Sequence, residues 1–235
     1  MWNKLQIGHK SGNIEMRTVQ LALPIRLGIR LLYISDLHFN RFSSNRADQL
    51  AGIINAQKPD ILLLGGDYAD TRAGLVPLRD LLSSFPKHLP ALAVAGNHDY
   101  FIGIDRLRNI MAGYGVSWIE KSSRQVLING QTIHVDGNFI TKDACSPGHR
   151  ILCLHRPVSL RHAESHYDLA LAGHLHGCQF IFWQNENGLY PGRWFYRWNI
   201  LEKQVGRCRY VVSRGVGDTL PLRINCTREV VLVEL

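Results

Sequence analysis

The sequence predicts an α/β (α+β) fold: a four-layer αββα sandwich of two mixed β-sheets flanked by helices. Three observations predict it. In the first half, short apolar runs alternate with helix-period segments, the pattern of a largely parallel, covered sheet. In the second half a hairpin signal and further short apolar runs follow one another, which asks for a second sheet. The 235 residues also show no linker, repeat or low-complexity tract, so 1–235 reads as one domain long enough to bury a core.

The elements follow in order. Residues 1–24 are uneven: 1–13 carry no period, and 14–23 fit an edge strand that stops at Pro24. Residues 29–35 form a β-rich run that delivers Asp36-Leu-His38. A helix over 46–57 places Leu50, Ile53 and Ile54 on one face before Pro59 and Asp60 break it. The strand at 61–64 ends in Gly65-Gly66-Asp67, and 75–84 fits a second helix. The strand at 91–95 ends in Gly96-Asn97-His98-Asp99, and a third helix runs over 104–114 with Leu107, Ile110 and Met111 on one face. Runs 125–128 and 131–135 flank Asn129-Gly130, the preferred two-residue hairpin turn. Residues 151–154 deliver His155, and Pro157 starts a short helix through about 164. The strand at 169–172 ends in Gly173-His174-Leu175-His176-Gly177, and 210–213 and 230–235 close the sheets.

Composition narrows the partners. The net charge of +8 favours anionic ones without choosing among nucleic acid, acidic lipid and phosphorylated small molecules. The five cysteines are Cys145, Cys153, Cys178, Cys208 and Cys226, an odd number with no CxxC. That argues against a disulfide framework and a thiolate zinc site, and for a reducing compartment. No apolar run approaches the roughly 20 residues that span a bilayer, and the N-terminus has neither a cleavable signal pattern nor a twin arginine. The expected location is cytoplasmic, with peripheral placement at the inner membrane surface as the variant.

Every apolar run that ends in polar residues brings them to one sheet rim. The donors so delivered are Asp36, His38, Asp67, Asn97, His155, His174 and His176. Nitrogen and oxygen without thiolate suits Mn, Fe or Zn better than Ca or Mg. Seven donors exceed one tetrahedral ion and suit two ions sharing a carboxylate. Two ions roughly 3.5–4 Å apart can hold a bridging hydroxide and grip an in-line displacement at phosphorus. His98 sits beside Asn97 without needing to bind metal; it can protonate the leaving oxygen, with Asp99 orienting it. Gly65, Gly66, Gly96 and Gly173 permit the tight turns this crowding needs. Asp70 reads as a cap, and Arg41 as a residue within reach of a substrate phosphate.

These motifs resemble those of the calcineurin-like metallophosphoesterase superfamily: Asp36-Leu-His38, Gly66-Asp67, Gly96-Asn97-His98-Asp99, His155 and Gly173-His174-Leu175-His176, from about residue 29 onward. The resemblance implies a β-sandwich of mixed sheets flanked by helices. It implies that Asp36, His38, Asp67 and His176 hold one metal, that Asp67, Asn97, His155 and His174 hold the other, and that His98 is the catalytic imidazole. It also implies two divalent transition metal ions, manganese favoured, and a phosphodiester or pyrophosphate substrate, with no obligate protein partner. The segments Ile34-Ser-Asp-Leu-His-Phe-Asn-Arg-Phe42, Ser213-Arg-Gly-Val-Gly217 and Leu222-Arg-Ile-Asn-Cys226 are similar to the small bacterial phosphodiesterases labelled YkuE- or YaeI-like. That subgroup is related to a UDP-2,3-diacylglucosamine pyrophosphatase of lipid A synthesis, which extends the implied substrates to a lipid-linked nucleotide. The chain departs from the pattern at Gly177-Cys178-Gln179, where Gly-Gly-Gln is usual. It also departs from Ser/Thr protein phosphatases: Thr71 and Ala95 stand where their phosphate-gripping arginines would be. The competing readings are a nuclease and a non-catalytic metal-binding scaffold; the complete donor set counts against the scaffold.

One further stretch stands out. Residues 180–198 combine Trp, Tyr and Phe with Arg193 and Arg197 directly after the histidine pair. Such a lobe suits a membrane interface or a lipid-bearing substrate, the two arginines then binding substrate; it equally suits stacked nucleic-acid bases, or rings packed over the sheet.

Overall fold

A computed structural model of the chain describes residues 13–23, 26–141, 148–160, 164–220 and 222–235. The first sheet contains β1 (Glu15–Gln20), β2 (Arg30–Ile34), β3 (Ile61–Leu64), β4 (Ala91–Ala93) and β5 (Ser117–Trp118). The second contains β6 (Ser122–Ile128), β7 (Gln131–Gly137), β8 (His149–Cys153) and β9 (Leu169–Ala172). A separate hairpin is made by β10 (Ile181–Asn185) and β11 (Gly188–Pro191). The chain then adds β12 (Glu202–Val205) and β13 (Cys208–Val212) to the second sheet, and returns to the first with β14 (Glu229–Glu234). The strand orders are β1-β14-β2-β3-β4-β5 and β12-β13-β9-β8-β7-β6, both mixed.

Strand register places the site. β2, β3 and β4 are parallel, with Ile34 opposite Leu64 and Leu64 opposite Ala93. Their C-terminal ends are therefore level, and the residues after each emerge on one rim. In the second sheet β8, β9 and β13 are parallel too, with Cys153 opposite Leu171 and Ala172 opposite Val212. Both sheets carry their polar cargo at matching ends, as ligand sites in parallel sheets do.

Side-chain alternation explains why the central strands read as unbroken apolar runs. Leu31, Tyr33 and Leu63 point between the sheets, against Val135, Ile151, Leu169 and Val211. Leu32, Ile34, Leu62 and Leu64 point the other way. They meet Leu50, Ile54, Leu78, Leu81, Leu107 and Met111 of α1 (Ser44–Gln57), α2 (Leu75–Ser83) and, after the short α3 (Asp99–Ile102), α4 (Ile104–Gly113). A strand covered on both faces has no polar side. α1 stops where Lys58 turns left-handed and bonds back to Ile54 O, just ahead of Pro59. Asn129 (φ 51°) and Gly130 (φ 76°) make the tight turn that joins Ile128 to Gln131.

The two mixed sheets with helices match the expected sandwich, and β1 is the edge strand expected within 14–23. Among the described residues all four α-helices contribute to the first sheet's outer core. The second sheet's outer face is closed by Leu160, Tyr167, Ile200 and Trp198, whose ring lies 4.6 Å from that of Tyr210. The helix expected from Pro157 is corrected: 157–160 are irregular, and 161–163 lie outside the described residues. Val158 N donates to Tyr210 Oη (2.9 Å), so a tertiary bond holds this backbone instead of a helical ladder. No described helix is long and apolar enough to cross a membrane.

Glu229, fully buried, ties β14 to the loop after β13. It pairs with Arg17 at 2.9 Å and with Arg214 at 2.6 Å. Burial opposes its charge, but Arg17 and Arg214 outweigh it and hold the carboxyl below the usual Glu range. A depressed acid stabilises the fold above its unfolded pKa, and that stabilisation is lost as pH falls through the folded value. Glu229→Ala leaves Arg17 without its carboxylate and Arg214 with only the exposed Glu15, so urea unfolding at neutral pH should show a loss of about 3 kcal/mol. A change near zero would mean the cluster contributes nothing.

Candidate metal centre

The donors sit on strained turns. Asp36 (φ 54°), His38 (φ 44°), Asp67 (φ 56°), His174 (φ 70°) and His176 (φ 51°) all occupy the left-handed region. Non-glycine residues there cost energy and gather at functional sites. The turns are zipped together: Asp36 N donates to Gly66 O and His38 N to Asp67 O, both at 2.9 Å. Two glycines allow close approach. A Cβ on Gly173 would lie 2.2 Å from Asp36 Oδ2, and one on Gly96 would lie 2.1 Å from Asp67 Oδ1.

Both carboxylates are anchored on backbone. His174 N donates to both Asp36 oxygens, at 2.9 Å to Oδ1 and 3.1 Å to Oδ2, and His98 N donates to Asp67 Oδ1 at 2.7 Å. Asp36 Oδ1 and Asp67 Oδ2 also face imidazoles. Asp36 Oδ1 is 3.7 Å from His176 Nε2, which is 3.2 Å from His38 Nε2. Asp67 Oδ2 is 3.6 Å from His38 Nε2 and 3.4 Å from His155 Nε2. His155 Nε2 is 2.9 Å from Asn97 Oδ1 and 3.2 Å from His174 Nδ1. The seven donors thus form two adjoining groups with Asp67 common to both. Asp36, His38 and His176 make one group, and Asp67, His155 and His174 the core of the other.

The donor chemistry fits cations. With bonds of about 2.1 Å, donors around one ion stand about 3.0 Å apart in octahedral and about 3.4 Å in tetrahedral geometry. The observed separations lie in that neighbourhood. His155 Nδ1 donates to Gly65 O at 2.9 Å, so in the neutral ring the Nε2 lone pair faces Asp67 and Asn97. His38 Nδ1 is likewise taken by Asp70 Oδ1 at 2.6 Å, which turns the other ring nitrogen toward Asp67 and His176. Acceptors converging on acceptors repel unless a cation or a proton lies among them; burial opposes a proton on His38, but Asp70, Asp36 and Asp67 outweigh it and hold its pKa above the usual His value. Burial pushes His176 down to about 4 and, with His155 close by, pushes His174 below the usual His value. Both rings are therefore neutral at pH 7, the form that ligates metal.

His98 stands at the rim. Its side chain is 35% exposed, whereas those of His38 and Asp67 are at most 2% exposed. Its partner differs from expectation. Asp99 does not orient it; the Asp99 carboxylate is buried and accepts the backbone N–H groups of Asp67, Tyr68 and Gly96 at 2.7–2.9 Å. It locks the β3 and β4 turns together, because α3 begins at Asp99 and turns its side chain inward. Burial pushes that carboxyl up to about 7, against the pull of these amides. The residue that meets His98 is Asp70, whose Oδ1 lies 3.1 Å from His98 Nδ1 and also binds His38. Burial opposes its charge, but His38 and His98 hold it below the usual Asp range. Asp70 is not a cap; Thr71 takes that role by accepting from Gly74 N. The signal for Asp70 was its spacing three residues after Asp67.

The three arginines expected at substrate lie elsewhere in their contacts. Arg41 stacks on Phe42 at 4.4 Å, Arg193 Nε donates to Asn187 O at 2.7 Å, and Arg197 lies over Trp198 at 5.6 Å. None makes a described contact with the seven donors. Arg223 does: its Nη2 lies 3.3 Å from His176 Nδ1, while Asp218 fixes its Nε at 2.6 Å. The lobe that carries Arg193 packs on the site's edge, since a Cβ on Gly192 would lie 2.4 Å from Cys178 Sγ.

Two adjoining groups of candidate metal donors with the His98 imidazole beside them suit hydrolysis of phosphoesters. Residues 29–213 match the calcineurin-like phosphoesterases, and the chain belongs to that family. It is a metal-dependent phosphoester hydrolase. The phosphodiesterase YaeI of Escherichia coli (strain K12) is 29% identical over 230 residues, covering 88% of this chain and 82% of YaeI. The metallophosphoesterase YkoQ of Bacillus subtilis (strain 168) is 25% identical over 242 residues, covering 93% of this chain and 89% of YkoQ. Both agree with the subgroup its motifs resemble. The crystal structure of phosphopantetheinyl hydrolase from Mycobacterium tuberculosis shares the fold, with a TM-score of 0.50 and 13% identity over 85% of this chain and 96% of that one.

Proposed function

We propose that the chain is a dinuclear phosphodiesterase that also accepts pyrophosphate linkages. Asp36, His38, Asp67 and His176 would hold one divalent ion, and Asp67, Asn97, His155 and His174 the other. The observation that carries this reading is Asp67 Oδ2, within 3.6 Å of an imidazole nitrogen from each group. Bound there, two ions would neutralise phosphoryl charge and lower the pKa of water toward neutrality. The nitrogen-rich donor set favours manganese, iron or zinc, and we favour manganese. His98, with Nδ1–H turned to Asp70, would act in its imidazolium form and pass the Nε2 proton to the leaving oxygen, returning to the neutral ring. Asp70 orients the His38 and His98 rings through their Nδ1 atoms. Chelator-stripped protein should be inactive on bis(p-nitrophenyl) phosphate, and Mn²⁺ should restore at least about 10²-fold activity. Full activity after complete stripping would refute the reading.

We further infer peripheral contact with anionic membrane through residues 180–198, in the cytoplasm, which would bring a lipid-linked nucleotide within reach. Phe182, Trp183, Trp194, Phe195 and Tyr196 are all exposed there, with Arg197 exposed and Arg193 half-buried beside them. Rings of this kind with arginines beside them suit a headgroup interface. Co-sedimentation with anionic vesicles should fall in Trp194→Ser/Phe195→Ser protein; equal sedimentation of both proteins would exclude the contact.

A further inference from the structure

A cleft of about 490 Å³ opens beside the second donor group, with Asn97 and His155 in its wall. Its other walls are mostly apolar: Tyr100, Phe139, Ile140, Leu154 and Val158. Its polar floor is already committed to the fold. Asn138 Nδ2 donates to Ala95 O and Glu120 Oε2, both at 2.7 Å, and its Oδ1 accepts His155 N at 2.7 Å. Glu120 Oε2 also accepts Ala95 N at 3.0 Å. This clasp holds the β4 and β8 turns, and so Asn97 and His155, in place. A sugar bound here would lose water and regain few hydrogen bonds, which is unfavourable. An alkyl or aryl group would find apolar walls of the kind small-molecule sites use, in a cleft open to solvent on one side. Arg156, the residue after His155, is exposed at the cleft's mouth.

We propose that this cleft receives the apolar substituent that stays on the phosphorus of the diester, with Arg156 pairing with the phosphate's negative charge. The inference deepens the phosphodiesterase reading and rests on it for the position of the phosphorus. In the step served, water oxygen bonds to phosphorus and the P–O bond to the other substituent breaks. The proton ends on that leaving oxygen, and the alkyl monophosphate remains.

The test uses the Mn²⁺-loaded full chain and p-nitrophenyl esters of methyl, butyl and octyl phosphate, which share one leaving group. Wild-type kcat/KM should rise from methyl to butyl, by up to about fourfold for each methylene fully buried. Val158→Glu and Tyr100→Ala, both at exposed positions, should flatten the series. Arg156→Ala should lower every member about tenfold, chiefly through KM, and leave the slope unchanged. Calorimetric binding of methyl- to octylphosphonate reads the same gain without catalysis. Hydrolysis together with a flat wild-type series in both assays overturns the cleft and leaves the activity standing. Phosphonate affinity that grows with chain length while no diester is hydrolysed overturns the activity and leaves the cleft standing.

Discussion

Asp67→Asn should lower phosphodiester kcat/KM by about 10³-fold and reduce bound manganese from two ions per chain, a loss of about 4 kcal/mol of transition-state stabilisation. The substitution isolates charge from shape. Asn tolerates the left-handed backbone that Asp67 adopts at φ 56°, and its side-chain oxygen can still accept from His98 N. What disappears is the anionic oxygen facing both His38 and His155. Steady-state kinetics and elemental analysis of the same preparation check the two effects together. Two ions and wild-type turnover in this variant would remove Asp67 from the shared position.

His98→Ala should behave differently: kcat falls about 10²–10⁴-fold while metal content stays at the wild-type level. His98 touches the donor groups through Asp70, through an edge-to-face contact with the His38 ring at 4.7 Å between centroids, and through its own backbone N–H, which alanine keeps and which anchors Asp67. A general acid matters most when the leaving group is poor. The loss should therefore be larger for an alkyl leaving group than for p-nitrophenolate, and a pair of diesters differing in that group measures it. Equal losses on both would assign His98 to phosphate binding instead. Asp70→Asn should give a smaller fall with a displaced pH–rate profile, since the imidazole loses its orienting charge.

How much of this was legible in the sequence depended on burial. β2, β3 and β9 are covered on both faces, so they stood out as apolar runs whose ends could be read directly. The hairpin at Asn129-Gly130 was legible from its turn chemistry alone. β5 has two residues, and β10 and β12 carry Gln184, Asn185, Lys203 and Gln204 on exposed positions. Their pairing is decided by neighbours distant in sequence, which no local pattern records. Residues 157–160 failed as a helix because Tyr210 offered the backbone a better partner. The donors were legible because each follows a strand directly. The partner of His98 was not: adjacency suggested Asp99, while the choice depends on which way α3 starts and how the β3 turn folds back. Arg41, Arg193 and Arg197 were legible as cations near the motifs, but neither charge nor position in the chain fixes where a long side chain settles.

The central claim is that the turns after β2, β3, β4, β8 and β9 cage a pair of cations. Anomalous diffraction from crystals of the manganese-loaded protein tests it most directly. The account predicts two peaks about 3.5–4 Å apart, with Asp67 touching both and His98 touching neither. A single peak, or manganese bound away from Asp36, Asp67 and His155, would contradict it.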